Sequence, residues 1–172
     1  MAANQALSAE GSSNVVAISR RQEASNAADI LARAQARASE LNLPFTGGVT
    51  PPEAWELFNQ GAALLVDIRS AEERKFVGQV PNTLHVAWAT GTALTRNPRF
   101  VRELEAKTGK DKVVLLLCRS GKRSAAAAEA AIKAGFTQVY NVLEGFEGDL
   151  NGSQQRGHAN GWRHWGLPWV QD

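Results

Sequence analysis

The sequence predicts an α/β fold: a mostly parallel central sheet with helices on both faces, preceded by an N-terminal helical extension. Three observations lead there. Residues 63–68 and 113–117 are continuous apolar runs of β-prone residues, the pattern of strands buried on both faces. Segments with helical patterning alternate with such runs along the chain. Gly61, Gly78, Gly109 and Gly135 stand where those helical segments should stop.

Taken in order, residues 1–21 are small and polar without a defensible period, which predicts a disordered lead-in. Residues 26–41 place Ile30, Leu31, Ala34, Ala38 and Leu41 on one thin stripe, predicting a helix whose docking is left open. Residues 1–45 are thus read as an extension and 46–172 as the folded domain. Pro44 and the pair Gly47-Gly48 break the chain before a helix start, with Thr50 as N-cap, Pro51 at the first helical position and Glu53 closing a capping box. Ala54, Trp55, Leu57 and Phe58 supply that helix's inner face. The run at 63–68 ends in a charged tip, Asp67 and Arg69, for which a structural tie between loops is the expected role.

Residues 70–77 read as a short charged helical turn, and 84–88 as a short strand after the Pro81-Asn82 turn. Asn97-Pro98 opens a further helix carrying Phe100, Val101 and Leu104. The strand at 113–117 leads through a six-residue loop into an alanine-rich helix at 124–134, and 138–142 forms a last strand. The end of the chain carries Trp162, Trp165 and Trp169, read as a packed closure of the domain.

Composition narrows the function. The net charge of +2 is small and the basic residues are dispersed, so nucleic acid is not expected as a partner. One cysteine rules out an intramolecular disulfide or a cysteine-rich zinc site. His85, His158 and His164 have no metal-binding spacing, and no metal or cofactor is expected. No apolar run approaches a membrane span, and the N-terminus lacks the basic and apolar regions of a secretory signal; no membrane association and a cytoplasmic location are the expectation.

The chemistry concentrates in the loop Cys118-Arg119-Ser120-Gly121-Lys122-Arg123. A strand feeding directly into a helix leaves loop amides and first-turn N–H groups facing one small bowl, and a helix N-terminus favours an anion there. Cations and helix N-termini also favour the thiolate of a cysteine. The lone Cys118, with three cations and a glycine in the next five positions, therefore reads as a nucleophile rather than an inert core thiol.

These residues resemble the rhodanese family of sulfurtransferases in its single-domain form, over about Thr50 to Val170. The match centres on Cys118-Arg119-Ser120-Gly121-Lys122-Arg123-Ser124. It is supported by Val66-Asp67-Ile68-Arg69 with Glu73, Gly78-Gln79-Val80-Pro81, Gly135-Phe136, Asn141-Val142-Leu143-Glu144-Gly145, and Gly161-Trp162 with Gly166-Leu167-Pro168. Departures are Gln79 with the following Asn82 and Thr83 around the Gly78–Pro81 motif, one extra residue between Asp67 and Gly78, and about a dozen residues inserted between Gly148 and Gly161. The resemblance implies persulfide relay: Cys118 takes the outer sulfur of a small anionic donor such as thiosulfate and passes it to cyanide or to a thiol, small or protein-borne. Arg123, Lys122 and Arg119 would hold the donor, Ser120 and Gly121 would line its site, and Asp67, Arg69 and Ser124 would support it. Two rivals share the architecture. One is a phosphatase or arsenate reductase, whose loop is one residue longer than the four residues between Cys118 and Arg123. The other is a non-enzymatic interaction module.

Overall fold

The computed structural model describes residues 9–172. In chain order its elements are α1 (Ala9–Glu40), β1 (Gly47–Val49), α2 (Pro51–Asn59), β2 (Leu64–Asp67), α3 (Ala71–Val77), β3 (Leu84–His85), β4 (Ala89–Thr90), β5 (Thr95–Arg96), α4 (Phe100–Thr108), β6 (Val114–Leu117), α5 (Lys122–Lys133) and β7 (Val139–Val142). Five strands form one sheet in the order β1-β7-β6-β2-β3, every neighbouring pair parallel.

Because alternate strand residues point to opposite faces, each apolar run serves two cores. Leu65, Leu115, Leu117, Tyr140 and Val142 pack with Ile30 and Ala34 of α1 and Leu57 of α2. Val66, Val114, Leu116 and Val139 pack with Phe100 and Leu104 of α4 and the small buried alanines 127, 128 and 131 of α5. The expected two-sided parallel sheet is the observed one. Thr50 caps α2 as anticipated: its side chain accepts from the Glu53 N–H while the Glu53 carboxylate accepts from the Thr50 N–H.

Several expectations need correction. Gly47-Gly48 does not merely break the chain but forms edge strand β1, pairing with Tyr140 and Asn141. The helix expected over 26–41 is longer than its apolar stripe indicates; α1 starts at Ala9. Of the anticipated disordered lead-in, residues 9–21 are therefore helical, and 1–8 lie outside the described residues. Backbone helix bonds need no apolar face, and 9–25 contains no proline to interrupt them. Leu41, placed on the stripe, is exposed past the helix end. The strand at 84–88 shortens to β3, after which β4 and β5 form a small antiparallel pair that the sequence did not suggest. α5 starts two residues early, at Lys122, because Gly121 supplies a left-handed turn at its N-cap (φ 90°). Only Trp162 of the three late tryptophans is buried, edge-on to Trp55 at 6.2 Å; Trp165 and Trp169 keep about half and two-fifths of their surface exposed (51% and 39%).

α1 is held by more than its thin stripe. Arg37 makes a bidentate pair with Glu53 (2.7 and 2.8 Å) and donates to the Gly48 carbonyl. Gly47 lets the helix approach: a Cβ there would lie 2.7 Å from the Ala34 backbone and 2.8 Å from the Tyr140 ring. Gly47→Ala is expected to lower the unfolding free energy by about 1–3 kcal/mol in urea titrations and to open α1 to limited proteolysis. Unchanged stability and cleavage would show that the helix is not seated as described.

Candidate active site

The sheet order brings the site together. From β2 the chain crosses to β3 on one side, whereas from β6 it crosses to β7 on the other. The loops leaving these adjacent strands therefore diverge, and a crevice is left at their carboxyl ends. Asp67 closes β2 directly opposite Leu117, which closes β6. The Asp67–Arg69 tip, the start of α3 and the Cys118 loop thereby become neighbours although about fifty residues separate them in sequence.

Cys118 is fully buried. Its Sγ receives the backbone N–H of Gly121 at 3.1 Å and of Ser124 at 3.3 Å, and lies 3.1 Å from the Ser124 hydroxyl. The other side of the loop is clamped. The Cys118 carbonyl accepts from Phe146 N–H at 2.8 Å, and the Arg119 carbonyl from Glu147 and Gly148 at 2.9 and 3.2 Å. The carbonyls are thus tied to the segment after β7, while two N–H groups turn inward to the sulfur. Gly145 makes this approach possible, since a Cβ there would fall 2.5 Å from the Arg119 backbone.

The charges around the loop are mostly assigned. Asp67 and Arg69 form a fully buried bidentate pair (Nε–Oδ1 3.0 Å, Nη2–Oδ2 2.8 Å), and Arg69 also donates to the Gly78 carbonyl and lies 4.2 Å from the centre of the Phe146 ring. That pair fastens the end of α3 to the sheet, with the guanidinium against Phe146. Arg123 is engaged too: its two terminal nitrogens meet the Glu73 carboxylate at 2.9 and 2.6 Å. Burial by itself would raise the Glu73 carboxyl, but the Arg123 hydrogen bonds, the Ser70 N–H and the fields of Arg123 and Arg69 outweigh it and hold it at about 2. Arg123 is held above its ordinary range, chiefly by Glu73 against burial, with the fields of Cys118 and Asp67 adding.

Of the residues singled out in the sequence, Cys118, Gly121 and Ser124 meet at the sulfur. Arg123 stands beside it but is bound to Glu73, so it does not face a donor unopposed. Lys122 opens α5 and is exposed, and Ser120 is half-buried in the loop. Arg119 lines a groove of about 300 Å³ whose other walls include Ser70, Glu72, Glu73, Phe76 and Leu94. Its Nε is buried without a hydrogen-bond partner, unlike the engaged groups of Arg123. Two further contributors, Glu73 and Asn141, stand in the quoted motifs but carried no assigned role there. Glu73 was legible as the fourth residue of Ser70-Ala71-Glu72-Glu73, a capping box that the structure contains. Asn141, inside an otherwise apolar strand, carries no local signal beyond its polarity.

The sequence model of the Rhodanese-like domain matches residues 50–151. The chain belongs to that family. Among solved rhodanese-like folds, the crystal structure of Rv0390 from M. tuberculosis is 44% identical, with a TM-score of 0.67 over 74% of this chain and 99% of that one. The rhodanese-like domain of Alr3790 from Anabaena shares the fold at 12% identity, with a TM-score of 0.53 over 73% of this chain and 79% of that one. Among the described residues, no cluster of histidine, cysteine, aspartate and glutamate could hold a metal, and no helix is long and apolar enough to cross a membrane.

The Glu73–Arg123 pair gives this rhodanese-like domain an acid-sensitive component. The folded carboxyl titrates at about 2, below its ordinary 4.5. Its stabilisation is therefore complete above about pH 4.5 and is lost as pH falls toward 2. In Glu73→Gln, the fall of unfolding free energy between those pH values is expected to be shallower by up to one proton's worth of slope, measured by urea titrations at stepped pH. A slope equal to wild type would mean that the pair does not hold in solution.

Proposed function

We propose that this rhodanese-like domain is a sulfurtransferase that carries a sulfane sulfur on Cys118, from thiosulfate or a similar anionic donor to a thiol or cyanide. The observation that carries this reading is the convergence of two backbone N–H groups and a hydroxyl on the only cysteine of the chain. Such donors favour the anionic sulfur and are already oriented before reaction. The attacking thiolate forms a new S–S bond to the outer sulfur of thiosulfate as the donor's own S–S bond breaks. That bond's electron pair leaves with sulfite, and the negative charge stays on the terminal sulfur of the persulfide. An acceptor nucleophile then takes that sulfur and returns the thiolate.

Arg119 is the guanidinium best placed to draw the donor in, because it lines the groove and, unlike Arg69, Arg74 and Arg123, makes no ion pair among the described residues. Arg123, tied to Glu73, is better suited to balancing the charge that collects at the sulfur. Cys118 has no exposed surface at rest, so access requires the loop or the side chains over it to shift.

Incubation with thiosulfate should add one sulfur, roughly 32 Da, to the wild type and nothing to Cys118→Ser by intact mass. A wild type of unchanged mass, or brisk hydrolysis of p-nitrophenyl phosphate, would overturn the reading. Arg119→Ala should raise KM for thiosulfate about tenfold, with kcat moving less. Unaltered steady-state constants would remove Arg119 from donor binding.

A further inference from the structure

We infer that Asn141, on β7 and outside the cysteine loop, is a positioning residue for the Cys118 sulfur, acting through Ser124 and Gly121. This deepens the sulfur-transfer reading and rests on it. Asn141 is almost wholly buried on the sheet face that carries α5, where the strand's pattern calls for an apolar residue. A buried amide is unfavourable unless its polar atoms are bonded. Here both ends are spent on the loop. The Ser124 hydroxyl donates to Asn141 Oδ1 at 2.5 Å, and Asn141 Nδ2 donates to the Gly121 carbonyl at 3.1 Å.

Those two partners supply all three of the polar groups found at the sulfur: the Gly121 N–H, the Ser124 N–H and the Ser124 hydroxyl. The Gly121 carbonyl also accepts from Ala125 N–H at 3.2 Å as α5 begins, so the Asn141 amide pins the left-handed residue on which the loop turns. The carbonyl can only accept, and this decides which end of the amide faces it. Oδ1 is consequently left facing Ser124.

The Ser124 hydroxyl has one proton and two acceptors. While the sulfur keeps its own proton, the thiol donates to Oγ and the hydroxyl donates to Asn141. Once the sulfur is anionic, the hydroxyl can turn to it, and Asn141 Oδ1 gives up its donor. When the charge moves out to the terminal sulfur of a persulfide, the demand at Sγ falls and the hydroxyl can return. Asn141 is the fixed point of this exchange, because β7 is paired on both sides, to β1 and to β6, where Asn141 stands opposite Leu116.

The test is the pH dependence of iodoacetamide alkylation of Cys118 in Asn141→Asp, Asn141→Leu, Ser124→Ala and the Asp/Ala double variant, each first shown to unfold cooperatively. The charged groups around these hydrogen bonds are Arg123 with Glu73 of α3, Asp67 of β2, Arg119 in the loop, Lys122 at the start of α5, and Glu144 after β7; none is changed by these variants. Asn141→Asp keeps the shape, removes the donor to Gly121 and holds the Ser124 proton more firmly. Its alkylation profile should move to higher pH, with the rate at pH 7 falling about tenfold. Asn141→Leu, which loses the anchor alone, should move it less, and the effect of the aspartate should shrink when Ser124 is already alanine. Folded Asp and Leu variants whose profiles overlay wild type would overturn the role; full additivity with Ser124→Ala would overturn the route through the hydroxyl. Alkylation needs no sulfur donor, so a wild type that takes no sulfur from thiosulfate would end the transfer reading while leaving this measurement standing.

Discussion

The opposite crossovers from β2 and β6 are the constraint from which the site follows. Two adjacent parallel strands whose chains leave in opposite directions cannot close over each other, so a crevice opens at their carboxyl ends. The residues of the candidate site in this rhodanese-like domain are borne on the elements that border that crevice. β2 brings Asp67 and Arg69, α3 brings Glu73, and β6 with α5 brings the cysteine loop. Asn141 joins them because β7 is the strand next to β6.

Within the crevice the loop has two faces of opposite polarity. Its carbonyls at Cys118 and Arg119 are consumed by Phe146, Glu147 and Gly148, and its amides at Gly121 and Ser124 are aimed at sulfur. The two facts are coupled, since a loop that small cannot rotate one set of peptide groups without the other. Gly145 and Gly121 are needed for different reasons: the first for the close approach of the clamp, the second for the left-handed turn. The buried Asp67–Arg69 pair stands behind the clamp, with the guanidinium lying over Phe146. A change at the back of the site would therefore reach the sulfur through backbone geometry, without touching it.

Charge is distributed with equal economy. Of the cations near the loop, Arg69 is bound to Asp67 and Arg123 to Glu73, Lys122 is exposed at the start of α5, and Arg119 lines the groove. Net positive charge in a sequence motif is thus a poor guide to which cation is left without a carboxylate partner, because the carboxylates come from another element.

Much of this is legible in the sequence alone. Continuous apolar runs reveal two-sided parallel strands because both faces must be dry, and Thr50 with Glu53 reveals a helix start because the capping contacts are local. Cys118 stood out because a lone thiol among cations and glycine has no ordinary core use. Short edge elements escaped: β1 is two glycines and a valine, and its strand character comes from pairing with β7. The partners of Arg123, the burial of the sulfur, the docking of α1 and the role of Asn141 also escaped. Each depends on which strands lie side by side, and side-by-side placement is a long-range outcome of packing. Local chemistry, written over a few residues, belongs to the sequence itself; the pairing of distant charges and the orientation of peptide groups toward one atom were decided only when the sheet assembled.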